Sequence, residues 1–104
     1  MEEKRIKDLL QRIEKHPTNI LDRFVLSKIY YDNQMWAETI EACEAILKLK
    51  PDYLVVQIQL GDALMHIGKK KEAQIVLENA RELARTQHHQ GMIPEIDEML
   101  ESVE

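Results

Sequence analysis

The sequence predicts an all-α protein, a solenoid of antiparallel helix hairpins with about six helices in one domain over residues 1–104. Three observations predict it. The stretch Leu60 to Ala73 has a second copy 34 residues earlier: Leu26-Ser27 falls on Leu60-Gly61, Tyr30 on Leu64, Gln34 on Gly68, Glu38-Thr39 on Glu72-Ala73 and Cys43 on Leu77, and Pro17 and Pro51 keep the same interval. A fixed period of this size marks stacked supersecondary units. Between the breaks, apolar residues recur at helical spacing. Charged residues make up 32% of the chain and aromatics 5%, a balance that suits helices packed through aliphatic side chains.

Residues 2–15 place Ile6, Leu9, Leu10 and Ile13 on one face, the spacing of an amphipathic helix. Pro17 ends it, because the residue before a proline is pushed out of helical geometry. In register this helix matches the second half of a hairpin, and its expected work is to cover one end of the stack. Thr18 or Asn19 can cap the next helix, about 20–33, whose Ile20, Leu21, Phe24, Val25, Leu26, Ile29, Tyr30 and Tyr31 are apolar round much of the circumference. Such a helix is covered on two sides. Its partner, about 36–49, carries Trp36, Ile40, Cys43, Ile46, Leu47 and Leu49, and Pro51 stops it. Asp52 is placed to cap the helix from Tyr53 to Ile67, and Gly68 suits the left-handed residue that closes it. The helix from about 70 to 88 presents Ala73, Val76, Leu77, Ala80, Leu83 and Ala84, after which Gly91 is expected to break the chain. The last helix begins near Pro94, a residue suited to the first turn, with Glu95, Asp97 and Glu98 at the positive end of the helix dipole. Met92, Ile93, Ile96, Met99, Leu100 and Val103 form its apolar face, which should close the other end of the stack.

A 34-residue helix–turn–helix unit with Leu-Gly, an aromatic or Leu, then Ala and a closing Pro resembles the tetratricopeptide repeat. The matching positions are Leu26, Ser27, Tyr30, Trp36, Thr39, Cys43 and Pro51, then Leu60, Gly61, Leu64, Ala73, Leu77 and Ala80, about two thirds of the chain. The resemblance implies a right-handed superhelix, with an N-terminal capping helix in 1–17, repeats at 20–53 and 54–87, and a C-terminal capping helix in 92–104. Arg23 and Gln57 stand where the family carries tryptophan, Ile46 where it carries a small residue, and Arg85 where the second proline would close the unit. Without that proline the helix before it should run on.

The single cysteine excludes an intramolecular disulfide, the charged start Met1-Glu2-Glu3-Lys4-Arg5 has no apolar run behind it, and no segment approaches the ~20 apolar residues of a membrane span. A cytoplasmic protein without a membrane partner is expected. Residues 92–104 hold Glu95, Asp97, Glu98, Glu101 and Glu104 and no Lys or Arg, which accounts for the net charge of −5. A nucleic-acid binder shows a basic stripe instead. Here the basic run is Lys69-Lys70-Lys71, in a turn, so no nucleic-acid partner is expected.

No phosphate loop, H-E-x-x-H, C-x-x-C or G-x-S-x-G occurs, so no catalytic residue and no cofactor are assigned. Cys43 falls at a core position. His88 and His89 point about 100° apart on a helix and make a poor chelating pair, so no metal site is assigned either.

What remains is the surface that the resemblance makes concave. Inward positions carried over by register are Leu21, Phe24, Lys28 and Tyr31, then Val55, Ile58, Asp62 and Met65, with Gln59 and His66 at the rim. The strip is mostly apolar with one charge of each sign. It implies a protein–protein interaction module whose groove takes a partner peptide or helix, with a homodimer built on the same strip as the alternative. One subtype of the family grips a C-terminal carboxylate with paired Lys and Asn. Phe24 and Lys28 occupy the first two of those positions, so that clamp is not expected.

Overall fold

The computed structural model describes residues 2–103 and places them in six α-helices: α1 Glu2–Lys15, α2 Ile20–Asp32, α3 Trp36–Leu49, α4 Leu54–His66, α5 Lys70–Thr86 and α6 Ile93–Ser102, with a 3-10 turn at Gln90–Met92 before the last. No strand occurs among the described residues, and no helix among them is long and apolar enough to cross a membrane. Neighbours in the chain are neighbours in space, α1 on α2, α2 on α3 and so on to α6 on α5, which is the contact pattern of a stack of hairpins.

The 34-residue offset is a structural period as well: α2 and α4 have the same length and begin and end 34 residues apart. At the closing turns, Gln34 and Gly68 both adopt positive φ, +58° and +83°, so Gln34 takes without glycine a conformation that Gly68 takes freely. The counterpart of Leu49 is Leu83, and α5 runs on to Thr86, as the missing proline predicts.

Two turn expectations are corrected. The chain turns after α5 at His88, whose φ is +61°, whereas Gly91 sits inside the 3-10 turn without positive φ. The α4 N-terminus has no side-chain cap, because the Asp52 carboxylate lies 3.2 Å from Lys50 Nζ instead. At α2 the alternatives resolve to Asn19, whose Oδ1 accepts from the Asp22 N–H at 3.1 Å.

Arg23 and Gln57, which replace the family tryptophan, make the same bond one period apart. Arg23 Nε donates to the Pro17 carbonyl at 2.7 Å and Gln57 Nε2 to the Pro51 carbonyl at 2.9 Å. Each ties the first turn of its helix to the loop before it. The ion pair from Arg12 to the buried Asp22, at 2.8 Å, fastens α1 to α2 in addition to the apolar contact of Leu9, Ile13, Leu26 and Ile29.

Two further clusters continue the core. One gathers Cys43, Ile46, Val56, Leu60, Leu64, Ala73 and Val103; the other gathers Leu54, Leu77, Ala80, Ala84 and Ile96. Ile46, at a position where the family carries a small side chain, is fully buried, so the large residue is absorbed into the packing. Inside each hairpin a small residue on the first helix meets the second. A Cβ on Gly61 would come within 2.5 Å of Leu77. Its counterpart Ser27 is larger than glycine, and the counterpart of Leu77 is the smaller Cys43. The two hairpins keep the same space filled with opposite choices of size.

Candidate protein-binding groove

Lys28, Tyr31, Asp62 and His66 come together toward the C-terminal ends of α2 and α4. Tyr31 donates its hydroxyl to Asp62 Oδ2 at 2.5 Å, and His66 Nε2 lies 3.6 Å from the same oxygen. Lys28 Nζ sits 2.9 Å from Asp32 and 5.5 Å above the Tyr31 ring. Burial, then the bond to Asp62, then the charges of Asp62, Asp32 and Glu95 push the Tyr31 phenol well above its ordinary value. It therefore stays a protonated donor, bonded to Asp62 of α4 and within reach of the charges of Asp32 and Glu95 from α2 and α6.

Trp36, at the start of α3, completes this end. The His66 ring stacks on it with centroids 4.0 Å apart and 5° between planes, and Tyr31 meets it edge-on at 5.6 Å. Trp36 begins a second helix, outside the first-helix positions that register assigns to the groove.

The other end is apolar. Leu21 is 69% exposed and Val55 46%, both near the start of their helices. Phe24 stacks on Tyr53 at 5.5 Å and 12°, which adds a second aromatic that the register did not supply. Ile58 and Met65 are half-buried because they lean on the core cluster that contains Ile96 of α6. Ile58 and Met65 are thus drawn partly into the core, and of the apolar part of the strip Leu21 and Val55 stay exposed and Phe24 and Tyr31 half-buried.

One expected rim residue is misplaced. Gln59 is 6% exposed and lies between the hairpins, with Nε2 3.0 Å from Ser27 Oγ and 3.2 Å from Cys43 Sγ. A buried amide needs such partners, and its role is to join α4 to α2 and α3. A small polar seam therefore lies at the junction of the two hairpins.

Cys43 in that seam has no exposure, and burial pushes its thiol up to about 11 despite the opposing bond from Gln59. A neutral buried thiol is a poor nucleophile. The thiol and the phenols of Tyr30 and Tyr31 are all raised, so the folded state holds each proton to a higher pH than the unfolded chain does. Their contribution is complete below the unfolded values, near 9 for the thiol, and is lost as pH rises toward the folded ones. Urea melts should show stability falling between about pH 9 and 11, more shallowly in Cys43→Ala, and alkylation of Cys43 at pH 8 should track global unfolding. A flat alkaline profile would contradict the assignment.

Among the described residues no three His, Cys, Asp or Glu side chains gather as a metal site would need.

Comparison with known proteins agrees with the geometry. The chain resembles a Bordetella parapertussis protein solved in solution, at TM-score 0.81 and 23% identity over 94% of this chain and 85% of that one. It also resembles the TPR2B domain of yeast Sti1 in its complex with an Hsp70 peptide, at TM-score 0.83 and 16% identity over 94% and 78%. MamA of MSR-1 matches at TM-score 0.66 and 21% identity over 94% and 63%. No curated protein matches at the sequence level. The family pattern described as Tetratricopeptide repeat matches residues 30–93, well over half of the chain, and the chain belongs to that family of protein-interaction modules.

Proposed function

We propose that this protein binds a segment of a partner protein along the concave face of α2 and α4, bounded by α6. The observation that carries the reading is the gradient along that face. Its lower end offers exposed Leu21 and Val55 beside the Phe24–Tyr53 stack, and its upper end offers Tyr31, Asp62, His66 and Lys28. Apolar anchors supply most of the binding energy in such surfaces, and polar groups fix direction. A segment laid in the groove would therefore be read with a defined polarity. The Sti1 domain, which holds an Hsp70 peptide on the same fold, supports peptide capture as a use of this architecture. The residues here differ from a carboxylate clamp, since Phe24 offers no hydrogen bond.

Selection of displayed peptides against the purified protein tests the reading. Leu21→Glu with Val55→Glu serves as the control, because both side chains are substantially exposed and their replacement leaves the core intact. Binding clones that lose at least about ten-fold in affinity toward the double variant, with its helicity unchanged, are expected for apolar anchors. Clones that bind the variant as well as the parent would place the binding face elsewhere.

A further inference from the structure

The back of the molecule carries a second surface, seen by comparing the chain with itself. A cavity of about 170 Å³ lies between α1 and α3, and another of about 170 Å³ lies between α3 and α5. They are the same crevice in successive units, for five lining positions correspond at an offset of 34: Ile13 with Leu47, Arg23 with Gln57, Leu26 with Leu60, Ala42 with Val76 and Ala45 with Asn79. The shared backbone makes the second crevice an internal control for the first.

The two differ in reach and in chemistry. The first is also lined by Tyr30, Glu38 and Glu41; at the corresponding places of the second hairpin stand Leu64, Glu72 and Ile75. Ala42 and Ala45 put smaller side chains on its wall than Val76 and Asn79 put on the other. It continues into an adjoining cavity of about 360 Å³ that shares Arg23, Glu41 and Ala45 and ends at Leu49. Leu10 at one end is 47% exposed and Leu49 at the other 41%. The result is a trench with an apolar floor.

Its charges change along its length, with Glu38 and Glu41 toward Tyr30 and the cations toward Leu49. Glu38 and Glu41 make no salt bridge among the described residues, and both raise the Tyr30 phenol, after burial. At the far end stand Arg23, which keeps its charge although its Nε donates to the Pro17 carbonyl, and, in the outer cavity, Glu44 and Lys48. An occupant therefore finds two unpaired carboxylates and a hydroxyl beside an apolar slot at the Tyr30 end.

We propose that the trench between α1 and α3 is a second docking site. It takes a protein segment that seats a bulky apolar side chain over Ala42 and Ala45 and sets an adjacent Lys or Arg against Glu38 and Glu41. The site is separate from the concave groove, so the protein can hold one partner segment on each face.

Amide NMR titration tests this with two blocked peptides, acetyl-Ala-Phe-Lys-Ala-amide and the same peptide with Glu for Lys. The Lys peptide is expected to shift the amides around Ile13, Ala42 and Ala45 saturably. The Glu peptide should bind about three- to ten-fold more weakly, with the difference shrinking in high salt. Glu41→Ile, Ala42→Val and Ala45→Asn together install the second crevice's residues and should abolish the shifts. The pair Glu38→Gln and Glu41→Gln leaves the cavity alone and should equalise the two peptides. Leu21→Glu with Val55→Glu should leave binding unchanged. Shifts located elsewhere, indifference to the graft, or equal affinity for both peptides would overturn the proposal. So would a dimer that the graft dissociates, because a second copy would then be the occupant.

Discussion

Replacing Gly61 by Ala should destabilise the fold, and removing Leu77 should turn that same replacement into a gain. The added Cβ would lie 2.5 Å from Leu77 Cδ2 and 2.7 Å from Cγ, inside any real contact distance. Leu77 has no exposure, so it can make room only by shifting within the core. Overpacking of this kind costs about 1–3 kcal/mol, partly offset by the roughly 1 kcal/mol that alanine gains over glycine inside a helix. Leu77→Ala alone should cost about 2–5 kcal/mol, through lost burial and the cavity left between α4 and α5. Against a total stability of roughly 5–15 kcal/mol for a chain of this size, that is a large fraction. In the double variant the clash is gone and the new methyl occupies part of the cavity. The two changes should therefore be less costly together than their sum by about 1 kcal/mol or more, measured as the coupling in a double-mutant cycle of urea melts. Additive values would mean that Leu77 moves aside freely. A graft of the first hairpin's solution, Gly61→Ser with Leu77→Cys, should likewise outperform Gly61→Ser alone.

That pair also shows what the amino-acid pattern carries and what it does not. Helix positions are legible because each is punctuated by a residue with a local mechanism, such as Pro17, Pro51 and Gly68, and because the period repeats the punctuation. The size exchange between Ser27–Cys43 and Gly61–Leu77 is legible in the same way, since the offset sets one pair over the other. Side-chain destinations across hairpins are less so. Register places Gln59 at the rim, yet the partners that let it stay buried, Ser27 and Cys43, lie 32 and 16 residues away. The Trp36–His66 stack spans two hairpins, and nothing in either residue's neighbourhood along the chain announces it. The apolar face of α6 is plain from its spacing, but that it leans on the cluster under Ile58 and Met65 depends on how the helices splay. The convex trench needed the structure altogether, because Ala42 and Ala45 look unremarkable until they line a space.

The second large effect is expected at α6. Ile96 has no exposure and sits among Leu54, Leu77, Ala80 and Ala84. Ile96→Asp would place a carboxylate there with no partner, a situation that typically costs about 3–5 kcal/mol. The protein has a cheaper response, which is to release the helix. With 10 residues, α6 is too short to persist as an isolated helix, since those under about 12–15 residues are marginal in water. Ile96→Asp should therefore lose the hydrogen-exchange protection of residues 93–102 while α1 to α3 keep theirs, and should lower overall stability by about 3 kcal/mol. Ile96→Ala should cost about 2–4 kcal/mol and leave α6 docked but loosened. Release would take Ile96 out of the cluster that Ile58 and Met65 pack against and remove the charge of Glu95 that acts on Tyr31, so the proposed binding face would become more apolar and less acidic at once. A peptide held on the proposed binding face should then change affinity in Ile96→Asp although no residue of α2 or α4 was altered. If α6 stayed protected in that variant, Val103 and Leu100 would be holding it, and the groove would keep its acidic wall.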